Sequence, residues 1–170
     1  GLCSGYDGGG WVNDLYGAYC WYNNDIANKP DYGALYNWHA VNNVKGLAYL
    51  ERGGVPGPGW RVPTDADLAA LVTYLGGYTI AGKPLKESGA VHWGVYNEGS
   101  NESGFTALPG GRRIGDGSFS SLGLNCGLWS STERAAQTAW YHSIFNYYNT
   151  VTQTSGAKIS GFSIRLVRDI

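Results

Sequence analysis

The apolar positions of this chain follow two different periods, and each predicts an element. Leu68, Leu71, Val72 and Leu75 are spaced as one stripe of a helix. Thr64 precedes them as an N-cap, and Asp67, three residues on, completes an aspartate form of the capping box. Asp65 and Asp67 also suit the positive end of the helix dipole, so both are read as helix-start residues and not as general acids. Gly76 supplies a left-handed stop. In the last third the period falls to two. Phe162, Ile164 and Leu166 alternate through residues 161–168, the mark of a strand with one buried face. A strand over residues 139–147 puts Trp140, His142 and Ile144 on an inner face, with Trp140 and Ile144 in the core. Tyr141, Ser143, Phe145 and Tyr147 then face water.

Elsewhere the pattern is weaker. Trp11 to Tyr22 is aromatic and broken by Gly17, which predicts one or two short strands. Asn23 to Asp31 reads as a polar loop. Leu35 and Trp38, in residues 32–42, have helical spacing and predict a short helix on which His39 is structural. Residues 53–59, GGVPGPG, are turn chemistry. Residues 78–128 show little period. Their scattered Trp93, Phe105, Leu108, Ile114 and Phe119 predict a long loop with a small core of its own.

Composition narrows the function classes. The 170 residues predict one domain, 1–170, with 1–10 as a flexible lead-in. Only 15% of residues are charged, and the net charge is −1, which argues against nucleic acid or an anionic membrane as partner. No apolar run is long enough to cross a bilayer. The chain opens without an initiator Met, so the lack of a signal peptide carries no weight. The 27 glycines favour short elements and many turns. Cys3, Cys20 and Cys126 have no zinc-like spacing and allow at most one internal pair. Glu98, Glu102 and Asp116 offer oxygens to a calcium ion but lack any regular ligand spacing. No catalytic constellation, metal site or cofactor is expected.

Several stretches then resemble one family. These are Tyr22-Asn23-Asn24-Asp25, Tyr32-Gly33-Ala34-Leu35-Tyr36-Asn37-Trp38 and Gly59-Trp60-Arg61-Val62-Pro63-Thr64-Asp65. Asn101-Glu102-Ser103-Gly104-Phe105, Ala107-Leu108-Pro109-Gly110-Gly111-Arg112, Trp129-Ser130-Ser131-Thr132 and Gly161-Phe162-Ser163-Ile164-Arg165 follow in the same order. Together they resemble the Fibrobacter succinogenes major paralogous domain. The resemblance implies an α+β, C-type lectin-like fold of the formylglycine-generating-enzyme branch. It would have two short helices, a small twisted antiparallel sheet and long inserted loops.

The resemblance also implies a role, because domains of this kind serve as variable proteins of diversity-generating retroelements. There, adenines of Asn codons in a C-terminal repeat are substituted, which reaches most residue types but never Trp, Gln, Glu, Lys or Met. Tyr141, Ser143, Phe145, Tyr147, Tyr148, Asn149, Thr152 and Thr154 are reachable. Trp140, Gln153 and Lys158 are not and belong to the scaffold. Tyr, Ser and Asn together are also the composition of a recognition surface, and exposed aromatics mark binding. The expectation is a non-catalytic protein whose surface within 129–168 binds a macromolecular ligand, in the first instance protein, outside the cell, on a cell surface or on a virion. Arg134 and Ala136 extend the surface from the preceding loop. Arg165 and Arg168 are expected to pair with carboxylates or cap loops. The alternatives are an undiversified adhesion or carbohydrate-binding module, and an oxidase of the formylglycine-generating type. The oxidase needs a pair of late cysteines, where this chain has Cys126 alone.

Overall fold

The computed structural model describes residues 3–4, 11, 17–43 and 59–169. The fold is α+β, mostly sheet with few short helices. Its centre is a five-stranded sheet in the order β6-β5-β7-β8-β9, with β5 Gly110–Arg113, β6 Phe119–Leu122, β7 Asn125–Ala135, β8 Thr138–Phe145 and β9 Val151–Ala157. β5 and β7 run parallel while the other pairs are antiparallel, so the sheet is mixed where an antiparallel one was expected. Two smaller sheets join β1 Cys3–Ser4, β2 Ala18–Cys20 and β3 Leu35–Tyr36, and β4 Trp60–Arg61 with β10 Val167–Arg168.

The predicted helix forms over Asp65–Tyr74. Thr64 Oγ1 accepts from the Asp67 N–H at 3.2 Å, and the Asp67 carboxylate accepts from the Thr64 N–H at 2.7 Å, closing the capping box. Gly76 takes φ +98°, and the Gly77 N–H returns to the Val72 carbonyl at 2.9 Å, a left-handed termination. Arg61 clamps the Asp67 carboxylate with two nitrogens, which holds its pKa well below the usual carboxylate range.

Three expectations for the first 128 residues change. The helix expected over 32–42 is confined to one short helix at Trp38–Val41, because Leu35 and Tyr36 go into strand β3. The Asn37 side chain explains that start, since its oxygen accepts from both the Ala40 and the Ala18 N–H at 2.9 Å. The polar loop of 23–31 is wound into 3₁₀ turns. The stretch 78–128, expected as a long loop with a core of its own, instead holds a helical turn at Gly82–Leu85, strands β5 and β6 and the start of β7. Its apolar residues join shared cores: Trp93 meets Val72, Leu85, Leu128, Ile144 and Val151, while Phe119 packs toward Trp11, Ala18 and Leu35. The lead-in expected over 1–10 and the turn over 53–59 fall almost wholly outside the described residues, although Cys3–Ser4 pair with β2.

Both faces of the central sheet are covered in its middle. The Thr64-capped helix packs on the face of Leu128 and Ile144. On the opposite face, Phe162 lies among Trp38, Trp129 and Ala139. It fits because the strands offer glycines there: a Cβ on Gly127 would stand 2.5 Å from Phe162 Cδ1, and one on Gly156 would stand 3.0 Å from its Cε2. Ile164 and Leu166 pack on the same cluster, so the alternation is real. It is not carried by a continuous strand, however: Gly161, Phe162 and Ser163 make isolated bridges to Arg113, Tyr36 and Leu128. Each of the buried indoles Trp38, Trp93 and Trp129 donates to a main-chain carbonyl at 2.8–2.9 Å.

Candidate functional site

The double-sided burial divides the surface expected over 134–154. Tyr141 is half-buried, its ring stacked on Phe162, and burial raises its pKa. Ser143 is buried and its hydroxyl accepts from Asn125 Nδ2 at 2.7 Å. The expectation that both face water is therefore corrected: Phe162 and the 36–41 segment cover that face. The opposite face also differs. Trp140 is only half-buried, whereas His142 and Ile144 are buried. What remains outside lies at two ends of the β7–β8–β9 hairpins. The eight residues of β8 separate those ends by about 23 Å at the usual rise per residue.

One end carries Arg134 and Ala136, both exposed. Arg134 lies over the Trp140 ring at 5.1 Å and donates to Ser155 Oγ at 3.0 Å. The Ala136 carbonyl accepts from Lys158 Nζ at 2.9 Å, and Lys158 also pairs with Glu133 and lies over Trp38. Lys158 is thus a buried strut under the turn. Thr152 is exposed on β9, and Thr154 is half-buried beside Tyr141.

The other end gathers aromatic rings. Phe145, Tyr147 and Tyr148 are exposed, the two tyrosines by 59% and 64%. Tyr96, 66% exposed, comes from the distant 88–98 loop to meet Tyr147 with ring centroids 5.6 Å apart. Leu124 adds exposed apolar surface at the β6–β7 turn, where its carbonyl accepts from the Asn146 N–H.

The rings stand on a braced support. Lys86 is fully buried and donates from Nζ to the Asn146 and Tyr148 carbonyls at 3.2 and 3.1 Å, with Trp93 beside it. Burial lowers the Lys86 pKa, and the Glu98 carboxylate opposes that. The Gly82 N–H donates to the Asn149 carbonyl at 2.8 Å, an approach that a Cβ at Gly82 would block at 2.7 Å. Asn149 Nδ2 donates to Glu98 Oε2 at 2.8 Å. The sequence reading missed Tyr96, Leu124 and Lys86. An isolated Tyr in the Gly- and Asn-rich VYNEGS stretch was the one available signal; nothing local marks Lys86 as buried.

Other candidate groups lie apart from this surface. His142 Nε2 donates to Asp65 Oδ1 at 3.0 Å, while its Nδ1 is buried and has no partner among the described residues. Burial lowers the His142 pKa, and Asp65 opposes the shift. Cys20 and Cys126 are free buried thiols, each pushed to about 12 by burial, so neither carries thiolate at neutral pH. Cys126 and Leu128 floor a cavity of about 120 Å³ edged by Tyr32, Ser163 and Arg165. Arg165 stacks on Phe105 and donates to the Phe105 and Thr106 carbonyls, a loop cap as expected. Glu98 and Asp116 are engaged with Asn149 and Ser118. No helix among the described residues is long and apolar enough to cross a membrane.

Fold and surface together define a small sheet domain that displays side chains from its loop ends. The chain belongs to the Fibrobacter succinogenes major domain family, whose model matches residues 6–168. No curated protein and no solved structure matches it.

Proposed function

We propose that this protein is a non-catalytic binding domain, built on a C-type lectin-like plan, whose ligand surface is the aromatic end formed by Tyr96, Leu124, Phe145, Tyr147 and Tyr148. The observation that carries this reading is the contrast between exposed rings and their buried support. Lys86 and Gly82 brace the main chain of residues 146–149 with hydrogen bonds, while the side chains above stand 41–66% exposed. Rigid aromatics lose little entropy when they are covered, which suits a macromolecular ligand, in the first instance an extracellular protein.

Diversification by adenine substitution is the finer form of this proposal. It suits Phe145, Tyr147, Tyr148 and Thr152, whose exposed side chains can change without opening the core, whereas Asn149 is half-buried and bonded to Glu98. Tyr141 and Ser143 do not share that freedom. A near-copy of the 3′ coding segment beside a reverse transcriptase gene, differing mainly at adenines, is what this form requires.

The binding test uses the wild type and a Y96A/Y147A/Y148A variant on arrays of extracellular proteins and of glycans, with and without chelator. The expected result is a protein hit lost in the variant at an unchanged thermal midpoint. A hit that survives the three changes removes the aromatic end from the reading. A chelator-sensitive glycan hit favours the carbohydrate alternative.

A further inference from the structure

Strand β9 forms one rim of the central sheet. In an antiparallel pair, the N–H and C=O of one residue point the same way, and successive residues alternate between facing the partner strand and facing away. The Val151 N–H reaches the Tyr78 carbonyl at 2.7 Å, away from β8. Val151, Gln153, Ser155 and Ala157 therefore turn their main-chain groups outward. Tyr78 takes up the first of these, and the Ala157 carbonyl accepts from the Ser160 N–H. Among the described residues, nothing pairs with the outward groups of Gln153 and Ser155. Natural sheets blunt such rims with Lys, Pro or a bulge. The stretch from Thr152 to Ala157 contains no Lys and no Pro, and its ladder with β8 runs without a register shift.

We propose that this rim joins two copies of the chain, antiparallel, about a twofold axis at Thr154. Gln153 of each copy then stands opposite Ser155 of the other, and each such pair exchanges both main-chain hydrogen bonds. Thr154 meets its own counterpart, a favourable cross-strand pair. Charge selects a second copy over an unrelated strand. On one face of the sheet, Gln153 donates to Asp65 Oδ2 at 2.6 Å, and Ser155 accepts from Arg134 Nη1 at 3.0 Å. Setting Gln153 against the other copy's Ser155 brings Asp65 of one copy beside Arg134 of the other, and the twofold axis repeats the pair. Tyr78 confines the contact to the centre of the strand, so the dimer is weak and salt-sensitive. The aromatic ends then point in opposite directions, giving a bivalent particle. The β9 rim shares no residue with the aromatic end.

Sedimentation velocity on the full chain, from micromolar to millimolar concentration, reads the association directly. Amide exchange at Gln153 and Ser155 reads its location. The expected result is a dimer that grows with concentration, weakens with salt and slows exchange at those two amides. S155P removes an outward donor while leaving the β8 ladder intact, and R134E replaces attraction with repulsion. Each is expected to raise the dimer dissociation constant roughly tenfold or more. If S155P does not fold, R134E and the exchange pattern decide. A monomer at every concentration overturns the proposal, as does a dimer that ignores both substitutions or leaves the two amides unprotected. Protection produced only by an unrelated extended peptide overturns the choice of a second copy.

Discussion

The phenol ring of Tyr141 lies on the ring of Phe162, with centroids 4.2 Å apart and planes 20° from parallel. Trp129 closes edge-on to both rings, at 5.8 Å from Tyr141 and 4.7 Å from Phe162. This triad is why β8 carries a structural aromatic, Tyr141, on the same face as the exposed Phe145, while Tyr147, expected in the strand, lies in the turn beyond its end.

Truncating Tyr141 and Tyr147 separates the two roles. Y141A is expected to lower unfolding free energy by about 2–3 kcal/mol, through lost ring packing and a residual cavity. Y147A, at an exposed site, is expected to stay within about 0.5 kcal/mol of wild type. Urea denaturation of the two single variants checks both values; equal losses would mean that Tyr147 is also structural.

Gly127 and Gly156 leave room for Phe162. G127A puts a methyl group against the Phe162 ring edge and is expected to cost about 1–3 kcal/mol. Combining it with F162L should recover part of that loss. A double-mutant cycle in denaturant reads the coupling, and strict additivity would place the strain elsewhere.

Lys86 is expected to set the rigidity of the aromatic end. K86M keeps most of the side-chain bulk but leaves the Asn146 and Tyr148 carbonyls without their donor, at a cost of about 1–3 kcal/mol. The accompanying sign is faster amide exchange through residues 146–150, measured by NMR, with the helix at Asp65–Tyr74 unaffected.

His142 makes stability depend on pH. Burial holds its folded pKa below the ordinary value near 6.5. Between those two values the unfolded chain binds the extra proton, so stability rises with pH through that window and falls as the solution is acidified below about 6.5. H142Q removes this contribution. Thermal midpoints across mildly acidic pH should therefore slope less steeply for the variant than for the wild type.

How much of this was visible in the sequence depends on whether the deciding interaction was local. The Thr64-capped helix was readable because its cap, dipole charges, apolar stripe and glycine stop all lie within one window. The alternation of Phe162, Ile164 and Leu166 was readable too, as a set of residues sharing one cluster. Phe145, Tyr147, Tyr148 and Asn149 came out as one neighbourhood because a hairpin end keeps sequence neighbours together.

The sequence by itself determined the family, the capped helix and the aromatic character of the hairpin. Tertiary structure decided which of those aromatics face water. A strand's period of two assigns side chains to faces, but it cannot say how many faces are covered. Here the helix at Asp65–Tyr74 packs on one side, and Phe162 with the 36–41 segment covers the other. Tyr141 and Ser143 were drawn inside by residues far away in sequence. Tyr96 joined the display surface through the same kind of long-range contact, fixed by packing geometry that no local window contains.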